Sequence, residues 1–100
     1  MALKTLSQPQ SGFPAGQLLM TSRVSDLVER GRLDPAPYLS RHLRGDWGDL
    51  GDHDWQANDS ALRSGEDRLF SAYEITFDLT LWIITERDRS ATTLLLPEEY

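Results

Sequence analysis

The last third of the chain has the apolar and polar pattern of β-strands. Large and small side chains alternate over residues 69–75, the segment 79–85 (LTLWIIT) is rich in β-branched and aromatic residues, and 92–96 forms a third apolar run. Short turns at 76–78 and 86–89 separate the three runs. Because short connections favour antiparallel neighbours, this pattern predicts a three-stranded meander.

The middle of the chain has helical periodicity in three short segments. Ser22, Asp34 and Asp52 are suitable capping residues at their starts, and Pro35 suits the first turn of the second helix. The apolar faces comprise Val24, Leu27 and Val28, then Tyr38, Leu39, His42 and Leu43, then Trp55 and Leu62. The segments are followed by Gly31, Gly45 and Gly65. Glycine often ends a helix in the left-handed conformation, so three separate helices are predicted.

These elements predict an α+β fold in one domain over residues 16–100. Three short helices are expected to pack on one face of a three- to four-stranded, mainly antiparallel sheet, since neither layer can bury its apolar side alone. The segment 17–21 (QLLMT) is the candidate fourth strand. Residues 1–15 contain Pro9, Gly12 and Pro14 and predict a flexible arm, with Phe13 docking onto the body.

Composition narrows the class of protein. The chain has 100 residues, enough for one domain with a core, and no cysteine, which excludes disulfides, thiolate metal sites and cysteine nucleophiles. No segment has the apolar length of a membrane span. Residues 1–10 contain one lysine and no apolar run, so no signal peptide is expected. A cytoplasmic location without membrane association is therefore expected.

The charge is unevenly distributed along the chain. The formal net charge is −6. Residues 1–45 carry six basic and three acidic side chains, whereas residues 46–100 carry four basic and thirteen acidic ones. An acidic surface is repelled by phosphate backbones, so direct nucleic-acid binding is not expected. The charge favours a protein partner with a basic surface, although acids of this kind also simply keep small proteins in solution.

An aspartate-rich stretch at residues 45–59 (GDWGDLGDHDWQAND) is the most unusual part of the sequence. Carboxylates can hold hard cations, but the spacing does not match an EF-hand loop. The same residues suit helix starts. A third interpretation is a partner-binding loop, in which Trp47 either anchors the partner or fills the core. The candidate partner-binding residues are Asp46, Trp47, Asp49, Asp52 and Asp54.

No constellation in the sequence identifies a catalytic centre. A nucleophile and base would require one of the two histidines, His42 or His53, beside a serine. The serines considered are Ser60, Ser71 and Ser90, and none of them lies within a known catalytic motif. No catalytic residue, metal ligand or cofactor is therefore predicted. Arg87 and Arg89 lie in a charged run that indicates a solvated hairpin loop. The alternative is that the two arginines bind a carboxylate or phosphate group.

Several motifs resemble a family of short bacterial proteins encoded on plasmids and integrative conjugative elements, mostly in proteobacteria. They are FPAGQLLMT at 13–21, GDWGDL at 45–50, Asn58 with Ala61 and Leu62, SAY at 71–73, LWIITERDRSATTLLLP at 81–97, and the closing Glu-Glu-Tyr. Members of that family often have an Asp-Gly turn before the LWIIT strand, where this chain has residues 74–79 (EITFDL). The resemblance implies a cytoplasmic protein tied to mobile DNA and supplies no catalytic residue.

These observations lead to three hypotheses. The first is a non-enzymatic accessory protein of a mobile element that binds a macromolecule through its acidic surface. Its narrower form is an inhibitor of a host defence complex, such as a restriction or CRISPR complex, that presents carboxylates where phosphates would bind. The second is a small metal-assisted hydrolase that uses the aspartates of residues 46–54. The third is a structural or self-associating protein.

Overall fold

The computed structural model describes residues 13–100. In chain order the elements are β1 (Gln17–Met20), α1 (Ser22–Glu29), α2 (Ala36–Leu43), α3 (Asp52–Ser64), β2 (Leu69–Thr76), β3 (Leu79–Thr85), β4 (Ala91–Leu95) and a 3₁₀ turn at Pro97–Glu99. Three helices and four strands in this arrangement form an α+β fold, as the sequence pattern predicts.

The strands form one mixed, mostly antiparallel sheet in the order β1-β4-β3-β2. β2, β3 and β4 are antiparallel neighbours, which confirms the predicted meander. β1 is the fourth strand and pairs parallel with β4, with Leu18 opposite Thr92 and Met20 opposite Leu94. Parallel pairing is possible here because three helices and two strands separate β1 from β4 in the sequence, which gives a connection long enough for a crossover.

The β2–β3 hairpin has a two-residue loop, Phe77–Asp78, between the paired residues Thr76 and Leu79. The pairing register shifts between Glu74 and Thr76, so the strand carries a bulge there. One extra residue in β2, Ile75, thus shifts the register of the hairpin just before its turn.

The helices lie on the sheet face that presents Tyr73, Leu81, Ile83 and Leu94. These four pack with Val24, Leu33 and Leu96 in one buried cluster, and α1 and α2 add partly buried residues to it. A second cluster contains Phe13, Leu43, Trp47, Ala61 and Leu69. The opposite face carries an edge-to-face aromatic series in which Trp82 lies 4.9 Å from Phe70 and 5.7 Å from Tyr100, ring centre to ring centre.

The three predicted capping residues are each one position away from the N-caps that the structure shows, which are Thr21, Pro35 and Gly51. The Thr21 hydroxyl, not that of Ser22, accepts from the Val24 amide at 3.3 Å, because Ser22 already has helical backbone geometry. Gly51 precedes α3, so Asp52 is the first helical residue and makes no side-chain capping bond. Asp34 does accept a hydrogen bond from the Ala36 amide. The three predicted glycines all have positive φ at the ends of helices.

The described part of the predicted N-terminal arm begins with Phe13, which docks onto the body as expected. Phe13 is buried, and its amide donates to the Leu43 carbonyl at 3.3 Å. The Ala15 carbonyl accepts from the Thr92 hydroxyl at 2.7 Å. Residues 13–15 therefore belong to the folded body, because their backbone groups pair with it, whereas the rest of the predicted arm lies outside the described residues. None of the helices between residues 13 and 100 is long and apolar enough to cross a membrane.

Candidate functional site

Trp47 is a core residue and is completely buried. Its ring packs edge-on against His42, with centres 5.5 Å apart, and lies 6.3 Å from the Phe13 ring. Its indole N–H donates to Asp59 Oδ1 at 2.9 Å. Of the two roles considered for this tryptophan, the structure supports core packing, so Trp47 is not an exposed anchor for a partner.

Asp46 is held by an arginine of the first half of the chain. Arg41 donates from Nε to Asp46 Oδ2 at 2.8 Å and from Nη2 to Oδ1 at 3.3 Å. The hydrogen bond from Arg41 is the main reason that the pKa of the Asp46 carboxyl lies below its usual range. Asp46 Oδ1 also accepts from the Gly48 amide at 3.1 Å. This carboxylate is largely used inside the molecule and offers a partner little free charge.

Asp49 fixes the loop to the outer edge of β2. Its amide donates to the Ala72 carbonyl, and its Oδ2 accepts from the Glu74 amide, both at 2.7 Å. The Ala72 amide in turn donates to the Trp47 carbonyl at 3.2 Å. Gly48, which lies between Trp47 and Asp49, forms a parallel β-bridge with Ala72. The loop thus protects an edge strand that would otherwise expose its backbone groups.

Gly48 is required for this close approach. Its φ is +78°, and a Cβ atom there would lie 2.2 Å from the Ala72 carbonyl oxygen and 2.6 Å from the Tyr73 ring. Gly48→Ala is therefore expected to lower the free energy of unfolding by about 2 kcal/mol or more, measured by urea denaturation. Gly51→Ala is the matched control, because Gly51 has φ −69° and open space around its Cα. Equal losses in the two variants would contradict this account of the loop.

Asp52 and Asp54 are exposed, as Asp49 is, but they lie outside the part of the loop that is held against β2. Both lie in the first turn of α3, where the helix dipole stabilises carboxylates. Among residues 13–100 neither forms an ion pair. The five predicted residues therefore divide into a core tryptophan, two aspartates that hold the loop, and two free carboxylates.

The aspartates of the loop do not converge on a metal position. Asp46 is directed at Arg41 and Asp49 at the Glu74 amide. Over the residues that the structure describes, no three histidine, aspartate or glutamate side chains are grouped so that they could hold a metal ion. The hydrolase hypothesis thus has no geometric support from this loop.

His42 and Ser71, two of the residues considered as a nucleophile and base, are in contact but enclosed. His42 Nδ1 is hydrogen-bonded to Ser71 Oγ, and Nε2 lies 2.9 Å from Thr85 Oγ1. The Thr85 hydroxyl is hydrogen-bonded to the Thr92 hydroxyl, which donates to the Ala15 carbonyl oxygen. His42, Ser71, Thr85 and Thr92 are all fully buried. Burial lowers the pKa of His42 to about 3, and the series acts as a structural polar network in the core.

Arg89 also has a structural role. Its guanidinium donates to the carbonyl oxygens of Asp67, Glu86 and Arg87 through Nη1, and to that of Ala61 through Nη2 at 3.0 Å. Its own backbone adopts φ +63° in the β3–β4 turn. The guanidinium thus connects this turn to the end of α3. Because Arg89 is used in this way, the structure does not support the alternative in which Arg87 and Arg89 together bind an anion.

The hairpin tip between β2 and β3 carries the feature that the sequence reasoning missed. Phe77 is 96% exposed. Three exposed carboxylates, those of Asp49, Glu74 and Asp78, lie on the same hairpin or are hydrogen-bonded to it. In the part of the chain that the structure describes, none of these three forms an ion pair. A phenylalanine in a two-residue turn was the available signal, because turns normally use small or polar residues.

We define this surface, Phe77 with the carboxylates of Asp49, Glu74 and Asp78, as the hairpin site. Comparison of the chain with protein-family models, with curated proteins and with solved structures finds no match. The resemblance to plasmid-borne proteins therefore remains a prediction, and the function has to be argued from the site itself.

Proposed function

We propose that this chain is a non-enzymatic accessory protein that binds a basic surface of another protein through the hairpin site. The observation that carries the proposal is the 96% exposure of Phe77 at the tip of a hairpin that carries or binds three exposed carboxylates, none of which forms an ion pair between residues 13 and 100. A large aromatic side chain gains most from burial when a partner offers it a pocket. The carboxylates supply the charge complementarity that guides a basic partner to the site and fixes its orientation.

The rest of the molecule is suited to presenting this site. The bulge at Glu74–Thr76 and the bond from the Glu74 amide to Asp49 fix the base of the hairpin. Thr76 donates to Asp78 Oδ1 at 2.7 Å and holds that carboxylate beside Phe77. A contact surface that is already ordered loses less conformational entropy when it binds.

The resemblance to proteins of mobile elements supports a cytoplasmic setting and a narrower form of the proposal. In that form the partner is a nucleic-acid-binding protein of a host defence system, and the carboxylates occupy positions that phosphates would take. The carboxylates of Asp52 and Asp54 at the start of α3 add to the same acidic half of the chain. The narrower form requires that DNA or RNA competes with this chain for the partner.

The experiment uses the intact chain to isolate a partner from a proteobacterial lysate and then measures the binary affinity with purified components. Phe77→Ser is expected to weaken binding at least about 30-fold, which corresponds to the loss of one interface hot spot. Tyr100→Ser is the matched control, because Tyr100 is also an exposed aromatic residue, at 69%, on a different surface. Its affinity is expected to equal that of the wild type.

The charges are tested by the salt dependence of the same binary complex. Glu74→Gln with Asp78→Asn is expected to slow association several-fold and to flatten its dependence on ionic strength. Wild-type affinity in Phe77→Ser, or association that does not respond to salt, would refute binding through the hairpin site.

A further inference from the structure

Within residues 13–100 no strand pairs with the outer edge of β1, and the composition of this edge strand is unusual. Leu18, Leu19 and Met20 are consecutive and are 53%, 41% and 46% exposed. No charged residue and no proline occurs from Gly16 to Ser22. Edge strands of soluble proteins are normally protected by charges, prolines or covering loops, and the opposite edge of this sheet is covered by the loop at Gly48.

The backbone of β1 leaves two residues available for further pairing. The amides of Gln17 and Thr21 donate to the Ser90 and Leu94 carbonyls, at 2.9 and 3.1 Å. Backbone groups of successive strand residues point in opposite directions. Those of Leu18 and Met20 therefore face away from β4, toward the open edge.

An apolar groove lies next to this edge. It has a volume of about 290 Å³ and is lined by β1 together with Pro35, Ala36 and Leu39 of the α2 region and Leu94 of β4. An extended strand added to β1 would thus find hydrogen-bonding groups at the edge and apolar surface beside it.

We propose that the occupant is β1 of a second copy of this chain, paired antiparallel about a two-fold axis at Leu19. In this register Leu18 of each copy lies opposite Met20 of the other, and each pair exchanges two backbone hydrogen bonds. The two sheets join into one continuous sheet. The apolar groove of one copy then lies next to that of the other at the two-fold axis. Both copies use the same surface, as in most soluble dimers.

Charge and topology place β1 where two copies of this acidic chain can meet with least repulsion. Each chain carries a net charge of −6, and two copies repel one another unless they meet on their least acidic side. β1 is at one edge of the sheet and β2, with the acidic hairpin site, is at the other. Pairing through uncharged β1 segments keeps both acidic halves apart and leaves both hairpin sites free.

Sedimentation velocity over a range of concentrations tests the proposal. The wild type is expected to reach twice the 11.4 kDa mass of one chain. Leu18→Lys with Met20→Lys is expected to weaken the dimer at least about 100-fold, because pairing would bury unpartnered charges. Leu18→Pro removes an outward-facing N–H while leaving the bonds to β4 in place, and it is expected to give monomers as well. Phe77→Ser is expected to remain dimeric, which separates this proposal from the hairpin site.

Hydrogen exchange of the wild type identifies the surface that is used. The amides of Leu18 and Met20 are expected to be protected at dimer concentrations and to lose that protection on dilution. A monomeric wild type at millimolar concentration would overturn the proposal. A dimer that persists in the double lysine variant would also overturn it, since another surface would then form the dimer. Protection of these amides in the monomer would overturn it as well, since another segment of the same chain would then cover the edge.

Discussion

Replacing Trp47 with alanine is expected to lower the free energy of unfolding by about 3–5 kcal/mol, the largest effect of any single substitution considered. The indole is completely buried between Phe13 and His42, so the substitution opens a cavity in the second core cluster. It also leaves Asp59 without the N–H that now donates to it at 2.9 Å. Such a loss is a large part of the stability of a typical small domain.

Two conservative variants separate the causes of this loss. Trp47→Phe keeps most of the apolar volume but removes the indole N–H, so we expect it to lose less than half as much stability as Trp47→Ala. Asp59→Asn keeps an acceptor for the indole and should be close to wild type. Urea denaturation followed by far-ultraviolet circular dichroism measures all three. A change of less than about 1 kcal/mol in Trp47→Ala would contradict the placement of this residue in the core.

Acidification from pH 6.5 to 4.5 is expected to lower the free energy of unfolding by about 2.3 kcal/mol through His42 alone. Burial lowers the pKa of His42 to about 3 in the folded protein, against an ordinary value of 6.5. Between these two values the unfolded chain binds a proton that the folded one does not. The contribution of His42 to stability is therefore fully present well above pH 6.5 and is lost as the pH decreases toward 3. Between these values the free energy of unfolding falls with the slope expected for the uptake of one proton.

The measurement is the urea midpoint and slope at several pH values between 6.5 and 4.5, above the range where most carboxylates titrate. His53→Gln is measured alongside, because it removes the other imidazole of the chain, which is exposed. Ring resonances of His42 in the folded protein should not titrate in this range. A His42 resonance that titrates near pH 6.5, or stability independent of pH down to 4.5, would show that the imidazole is not held neutral in the core.

The secondary structure was predictable because each element has a local signal. Alternation and β-branched residues identified the meander, and a glycine after each helix identified its end. The helix starts were less accurate, since Thr21 and Ser22 are equally suitable caps and tertiary contacts decide between them. The docking of Phe13 was expected, but the backbone partners of Phe13 and Ala15 could not be predicted because they are distant in the sequence.

The candidate site was predicted less well than the fold. The aspartate-rich loop stood out in composition, but which carboxylates are free depends on long-range partners such as Arg41 and the Glu74 amide. Burial of Trp47 could not be separated from exposure by sequence, since tryptophan suits both. Phe77 was correctly placed in the turn at 76–78, but its exposure was overlooked because a large aromatic side chain is normally expected to pack against the body of the protein.

The central claim is that the partner binds at the hairpin site, and mapping the bound surface by NMR on the isotope-labelled chain tests it most directly. With the isolated partner added, we expect the largest amide shifts at Asp49 and at residues 74–78, and little change around Trp47. Shifts confined to β1, to the aromatic face around Trp82, or to the start of α3 would contradict the claim.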